Sequence, residues 1–407
     1  METLVSEVLA STQILDIHTH LFAPHFGSIG LWGIDELLTY HYLEAEVFRF
    51  TSMRPAEYWS LTKQQQADHI WKTLFVENTP LSEATRGVVA VLQALGLETN
   101  SNTLTTQRAF FREQKIDEYF KKVFQLAGIS AVVMTNDPLD PAEAAVWEQG
   151  HPANPYFRAV LRLDRILNDW NKNYEAMAKQ GYKVEKDCTG SSQAEVRRFV
   201  INWAAKMNPV YMAVSLEDTF LYPVEDVRTK LLAHAILPAC RELGIPLSLM
   251  IGVRRQVNPA LRLGGDGVGL ADLRAVEVLC REFPDNRFLI SVLSRENQHE
   301  LVVYARKFAN LMPFGCWWFL NNPSIVEEMT RERMEMLGPS FIPQHSDARI
   351  LEQVIYKWRN TRRIMSQVLG KSYDLLEEDG RRVTRDQVKR DITMLFQTNF
   401  ERFVSGK

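Results

Sequence analysis

Long apolar runs are missing from this sequence: the stretches at 88–97 and 311–320 are too short to span a bilayer. Cysteine is scarce. The four present, Cys188, Cys240, Cys280 and Cys316, lie far apart in no zinc or redox spacing, which predicts reduced thiols, mostly in the core, rather than a disulfide framework. Neither sign of charge dominates. The formal net charge of -3 leaves no electrostatic footprint for nucleic acid or an anionic membrane. The opening METLVSEVLASTQ has no basic segment followed by an apolar one, so no secretory signal is read and a cytoplasmic protein is expected. No repeat, low-complexity tract or Pro/Gly linker marks a second independent domain.

What is present is material for one large core. Of 407 residues, 46% are hydrophobic and 24% charged. Eight short runs rich in Val, Ile, Leu and Phe read as strands: 14–18, 131–135, 159–164, 210–216, 246–252, 287–293, 310–316 and 340–346. Several are apolar on both faces, as parallel strands covered by helices are. Helical periodicity fills most gaps, at 192–207, where Ser192 and Glu195 have capping-box spacing, at 225–243 and at 298–308. Eight strand–helix alternations predict an α/β fold, a (β/α)8 TIM barrel spanning 1–407 as a single domain, with reactive groups at the C-terminal strand ends. Residues 22–128, too long for a loop and helical at 60–75 and 80–96, are expected to form a helical insertion over the barrel mouth. Residues 350–407 are expected to be closing C-terminal helices.

The first strand runs ILDIHTH, placing His18 and His20 one residue apart. Residues i and i+2 of a strand share a face, so the two imidazoles can lie side by side. Neutral imidazole suits a borderline divalent ion such as zinc, commonly completed by a carboxylate. A bare pair at this spacing is more often not a ligand set. The opposite end of the chain strengthens it: SFIPQHSDARI puts Asp347 just after the last predicted strand, which would close against the first. His18, His20 and Asp347 are therefore the expected holders of one divalent metal ion. His299 lacks a second histidine at the helical zinc spacing and reads as a helix residue with a local partner.

Strand-one His-x-His with a last-strand Asp resembles the ligand pattern of the amidohydrolase superfamily, whose binuclear members carry a lysine on the fourth strand and histidines on the fifth and sixth. PVYMAVSL has no lysine and PLSLMIGV and FLISVLS have no histidine, so the resemblance implies one ion at most. Four longer stretches, IDELLTYHYL, VVMTNDP, NLMPFGCWWFLNNPS and GPSFIPQHSDARILEQVIYKWRNTRRI, together with LRLD, resemble the uronate isomerase family within it, most closely its shorter, divergent branch. The resemblance implies interconversion of aldose and ketose hexuronates, glucuronate with fructuronate and galacturonate with tagaturonate. By position it implies that His18, His20 and Asp347 are metal ligands and that His41, Tyr42, Arg162 and Arg349 line the substrate site. One departure stands out: Met250 occupies a fifth-strand position where longer members carry histidine.

The chemistry asks for such residues. Isomerisation needs a base at C2, stabilisation of an enediolate and proton shuttles between two oxygens. Asp347 suits the base, and Arg349 the permanent cation beside it. Tyr42 can donate to the oxyanion, His41 can assist ring opening, and Arg162 suits capture of a carboxylate. Arg162 and Asp164 could instead be a structural ion pair. The partner expected is a small hexuronate, with no nucleic acid or membrane, and self-association stays open. Trp317 and Trp318 are given no catalytic part, and RLGGDGVG reads as a flexible loop over the site. A mononuclear metal-dependent hydrolase or decarboxylase on the same scaffold is the competing reading, and a non-catalytic sugar-acid-binding protein the third.

Overall fold

The computed structural model describes residues 1–150 and 152–406. Seven parallel strands form one curled sheet: β1 (Ile14–Thr19), β2 (Ile129–Asn136), β3 (Phe157–Arg162), β4 (Met212–Glu217), β5 (Leu247–Arg254), β7 (Phe288–Val292) and β8 (Leu311–Pro313), neighbours in that order. A two-residue β6 (Gly267–Val268) pairs antiparallel with the end of β5. β1, β5 and β7 are buried along almost every residue, as their two-sided apolar character predicts. The fold is thus α/β and barrel-like.

The eighth predicted strand, 340–346, does not form a regular ladder. Only a bridge between Phe314 and Ile342 is made on one side, with Gly315 N–H donating to the Ile342 carbonyl at 3.0 Å. Pro343 has no N–H to offer a ladder, and side chains take over the pairing: Asp16 accepts from Ser346 N–H at 3.0 Å. The segment still joins the two sheet edges, because Asp347 N–H donates to the His18 carbonyl at 3.1 Å and His20 N–H to that of Ala348 at 2.8 Å. Chain ends distant in sequence therefore meet beside β1.

Helices occupy the stretch between β1 and β2, among them Lys63–Trp71, capped by Thr62 and Gln65, and Glu83–Ala94, capped by Ser82. The helix Ser192–Met207 lies where its periodicity predicts, but without the expected capping box. Ser192 Oγ accepts from Glu185 N–H at 2.8 Å and Glu195 from Lys183 N–H at 2.8 Å, so both side chains tie the preceding loop instead. All four cysteines are free and buried. No helix among the described residues is long and apolar enough to cross a membrane.

Candidate metal and substrate site

β1 aims both histidines inward only with the help of an irregularity. Asp16 pairs with Val132 and Thr19 with Met134, so three steps of β1 match two of β2. The resulting kink lets Ile17 remain in the interior apolar cluster while His18 also lies inside, its ring 5.9 Å from Phe314. Asp16, facing the other way, accepts from Trp358 Nε1 at 2.8 Å and pins the strand to the helix Gln353–Glu378.

Asp347 Oδ1 lies 3.8 Å from His18 Nε2 and 3.4 Å from His20 Nε2. The ligand atoms of the three residues all fall within 4.8 Å of one another. Asp347 itself adopts a left-handed backbone, φ 50°, a conformation aspartate tolerates better than most residues. Hydrogen-bond bookkeeping fixes the histidine tautomers. Tyr211 O–H donates to the Ile17 carbonyl at 2.8 Å, so His18 Nδ1, 2.9 Å from the same oxygen, must donate to it. Thr135 O–H likewise donates to the Thr19 carbonyl at 3.2 Å and accepts from His20 Nδ1 at 2.9 Å. Both rings then present an Nε2 lone pair to the space beside Asp347 Oδ1, itself buried without a hydrogen bond. Two neutral imidazoles and an unpaired carboxylate oxygen fit a divalent ion.

The electrostatics agree. Burial, then the Arg349 charge, push His20 down to about 4 against the pull of Asp347. Burial alone would raise the Asp347 carboxyl, but His20, His18 and His345, which compete with it for a proton, outweigh burial and hold it well below the usual carboxylate range.

His41 and Tyr42 come from the first turn of the helix His41–Val47 and lie with their rings 4.8 Å apart. His41 Nε2 and the Tyr42 hydroxyl are both buried with no hydrogen-bond partner. Burial, then Arg349, push His41 down to about 3, so its ordinary imidazole value, the basis for its expected part in ring opening, does not apply. Burial, then Tyr40 and Asp347, push Tyr42 well up, which keeps it a proton donor. The Arg349 guanidinium makes no hydrogen bond or ion pair among the described residues. Arg162 is different: its Nε and Nη2 grip Asp164 at 2.7 and 3.1 Å, the structural pair weighed against carboxylate capture. Its charge still reaches His18 and His20.

Several neighbours carry no sequence signal of their own. Tyr211 and Thr135 act through backbone carbonyls that no motif reveals. His345, fully buried with both ring nitrogens unpartnered, lies tilted against His18 with ring centroids 5.0 Å apart. Trp318, at φ 44°, sits edge-on to His41 at 5.9 Å with its indole N–H unpaired, while Met250 lies in the interior apolar cluster. The first half of RLGGDGVG ends the 3-10 turn Pro259–Gly265 and the second half contains β6, and Gly264 approaches the His41 carbonyl so closely that a Cβ there would lie 2.9 Å from it. His299 pairs with Glu332 at 2.6 Å, the local partner expected.

Fold and site together define a class: barrel-like α/β proteins in which the first strand and a returning segment pool two imidazoles and one carboxylate. No model of a known protein family matches the sequence, and no curated protein does. Solved structures do. A uronate isomerase from Bacillus halodurans is 50% identical, with a TM-score of 0.97 over 99% of this chain and 96% of that one. The chain belongs to the uronate isomerase family. A uronate isomerase from Thermotoga maritima (16% identity, TM-score 0.80, 99% and 97% covered) and a glucuronate isomerase from Caulobacter crescentus (14%, 0.72, 99% and 93%) share its fold.

Proposed function

We propose that this chain interconverts aldose and ketose hexuronates, D-glucuronate with D-fructuronate and D-galacturonate with D-tagaturonate. One observation carries the reading: an ionised Asp347 beside two neutral imidazoles, with an unpaired guanidinium, phenol and imidazole, Arg349, Tyr42 and His41, within its electrostatic reach. Hydrolysis has no need of the last three together.

Neutral His41 relays the anomeric hydroxyl proton to the ring oxygen as the C1–O5 bond breaks and the sugar ring opens, and does not keep it. Asp347 takes the C2 proton and returns it to C1. Tyr42 donates to the oxygen on C1 and recovers a proton from the oxygen on C2, so the enediol collapses to the ketose. Arg349 stabilises the negative charge that develops between them. Arg162, with two nitrogens committed to Asp164, contributes positive potential to the substrate-binding face. His18, His20 and Asp347 would hold one divalent ion, zinc by the donor set, which supplies a Lewis-acidic anchor for substrate oxygens.

The reading extends to a complete (β/α)8 barrel of amidohydrolase type in a single domain, with 22–128 as a helical insertion over its mouth and 350–407 as closing helices. It also carries a cytoplasmic location, in keeping with four buried unpaired thiols. Incubation with glucuronate or galacturonate in D2O tests the reaction: ketose should form, with deuterium at C1 only to the extent that the Asp347 carboxyl exchanges with solvent before returning the proton. Folded, metal-loaded protein that converts neither uronate removes the assignment.

A further inference from the structure

Lys357 is a buried cation to which the reaction above gives no task. It lies near the start of the helix Gln353–Glu378 and is 3% exposed. It makes no side-chain hydrogen bond and no ion pair among the described residues. An ammonium taken out of water without a counter-charge is costly, so a fold that keeps one there keeps it for a partner.

Its direction follows from helix geometry. Residues four apart share a helix face and lean toward the N-terminus. Gln353, one turn earlier, accepts from the N–H groups of Arg349 and Ile350 at 2.9 and 3.1 Å, so this face looks onto the segment carrying Asp347 and Arg349. The flanking positions face elsewhere: Tyr356 lies against Gly87, and Trp358 reaches Asp16. The Lys357 charge is felt by His41 and His345, on either side of the site, and by Glu83, which makes no ion pair with it.

Charge bookkeeping gives the partner. Asp164 closes two nitrogens of the Arg162 fork, and the buried Arg333, which has no ion pair, donates to the Gly315 carbonyl and Gln298 Oε1; Arg349 and Lys357 are the cations near the site whose side chains have neither a hydrogen bond nor an ion pair among the described residues. We propose that Lys357 contacts the substrate: its Nζ donates to an oxygen of the bound hexuronate, and with Arg349 it forms a two-cation seat for the anionic sugar acid. The inference rests on the uronate reading. The competing role for Lys357 is to neutralise Glu83 within the fold.

Glucuronate binding by calorimetry and steady-state kinetics on K357M, K357R, E83Q and the K357M/E83Q double variant separate the two. Folding is checked by circular dichroism and bound metal by atomic emission. In K357M, glucuronate affinity should fall and KM rise about ten- to hundredfold, the range for a charge-assisted hydrogen bond, with metal content unchanged. The preference for glucuronate over its uncharged amide should shrink in parallel, an effect that loss of packing alone would not produce. K357R should recover most of the affinity. K357M binding like wild type, or recovery of wild-type KM in the double variant, overturns the proposal while leaving the isomerase reading intact. Wild-type protein that neither binds nor converts any hexuronate overturns both. If K357M fails to fold, K357Q against K357R gives the same comparison.

Discussion

At the scale of single residues, the site depends on where protons sit. Asp347→Asn keeps the shape but removes the ionised oxygen that faces both Nε2 atoms. Turnover should fall by about 100- to 10,000-fold, the contribution of a positioned base, and bound metal should fall with it. Tyr211→Phe keeps the ring yet leaves His18 Nδ1–H without its acceptor. Metal affinity should drop by about 10- to 100-fold, measured against a competing chelator, with the circular dichroism spectrum unchanged. His18, His20 and Asp347 were legible because their spacing and their places at the two chain extremes carry the pattern. Tyr211 and Thr135 were not, since a hydroxyl that sets a tautomer depends on a carbonyl brought near only by strand register. The pairing of Arg162 with Asp164 was visible as one of two options, and their distance on one strand end decided it.

At the scale of elements, the returning segment is held by side chains more than by a ladder. Trp358→Phe removes the indole N–H that Asp16 accepts, leaving a buried carboxylate short of one partner. Stability in urea should fall by about 1–3 kcal/mol. The next turn of chain offers a pH test. Glu352 is buried, accepts from Gly33 N–H at 3.1 Å and has its other oxygen unsatisfied. Burial pushes its carboxyl up from 4.5 to about 7. Because the folded value is the higher one, the stabilisation is complete below about pH 4.5 and lost as pH rises to 7, at about 1.4 kcal/mol per pH unit. The stability difference between wild type and E352Q should therefore favour wild type by about 2–3 kcal/mol more at pH 4.5 than at pH 7.5; a pH-independent difference would contradict the assignment. Seven of the eight predicted strands are observed, since two-sided apolar runs are a strong signal. The eighth is irregular because Pro343 and the side chains of Asp16 and Gln344 replace ladder bonds, a substitution invisible to periodicity.

For the whole molecule, an ion held by residues from both ends of the chain should act as a clasp. Chelation should lower the melting temperature, with a loss of about 2.7 kcal/mol if the ion had been at a hundred times its dissociation constant. The D347N variant should show almost no response to chelator. The α/β class was readable from strand and helix alternation. How the helices between β1 and β2 lie against the site was not, because His41 and Tyr42 sit in a short helix whose packing partners are distant in sequence.

The bonds from Asp16 to Ser346 and Trp358 span 330 and 342 positions. A growing polypeptide thus has nowhere to receive a sugar acid until the segment from Ser346 to Trp358 has left the ribosome. Competence arrives in one late step rather than by degrees. A single proteolytic cut in the 340s would silence a molecule that still owned every one of its parallel strands.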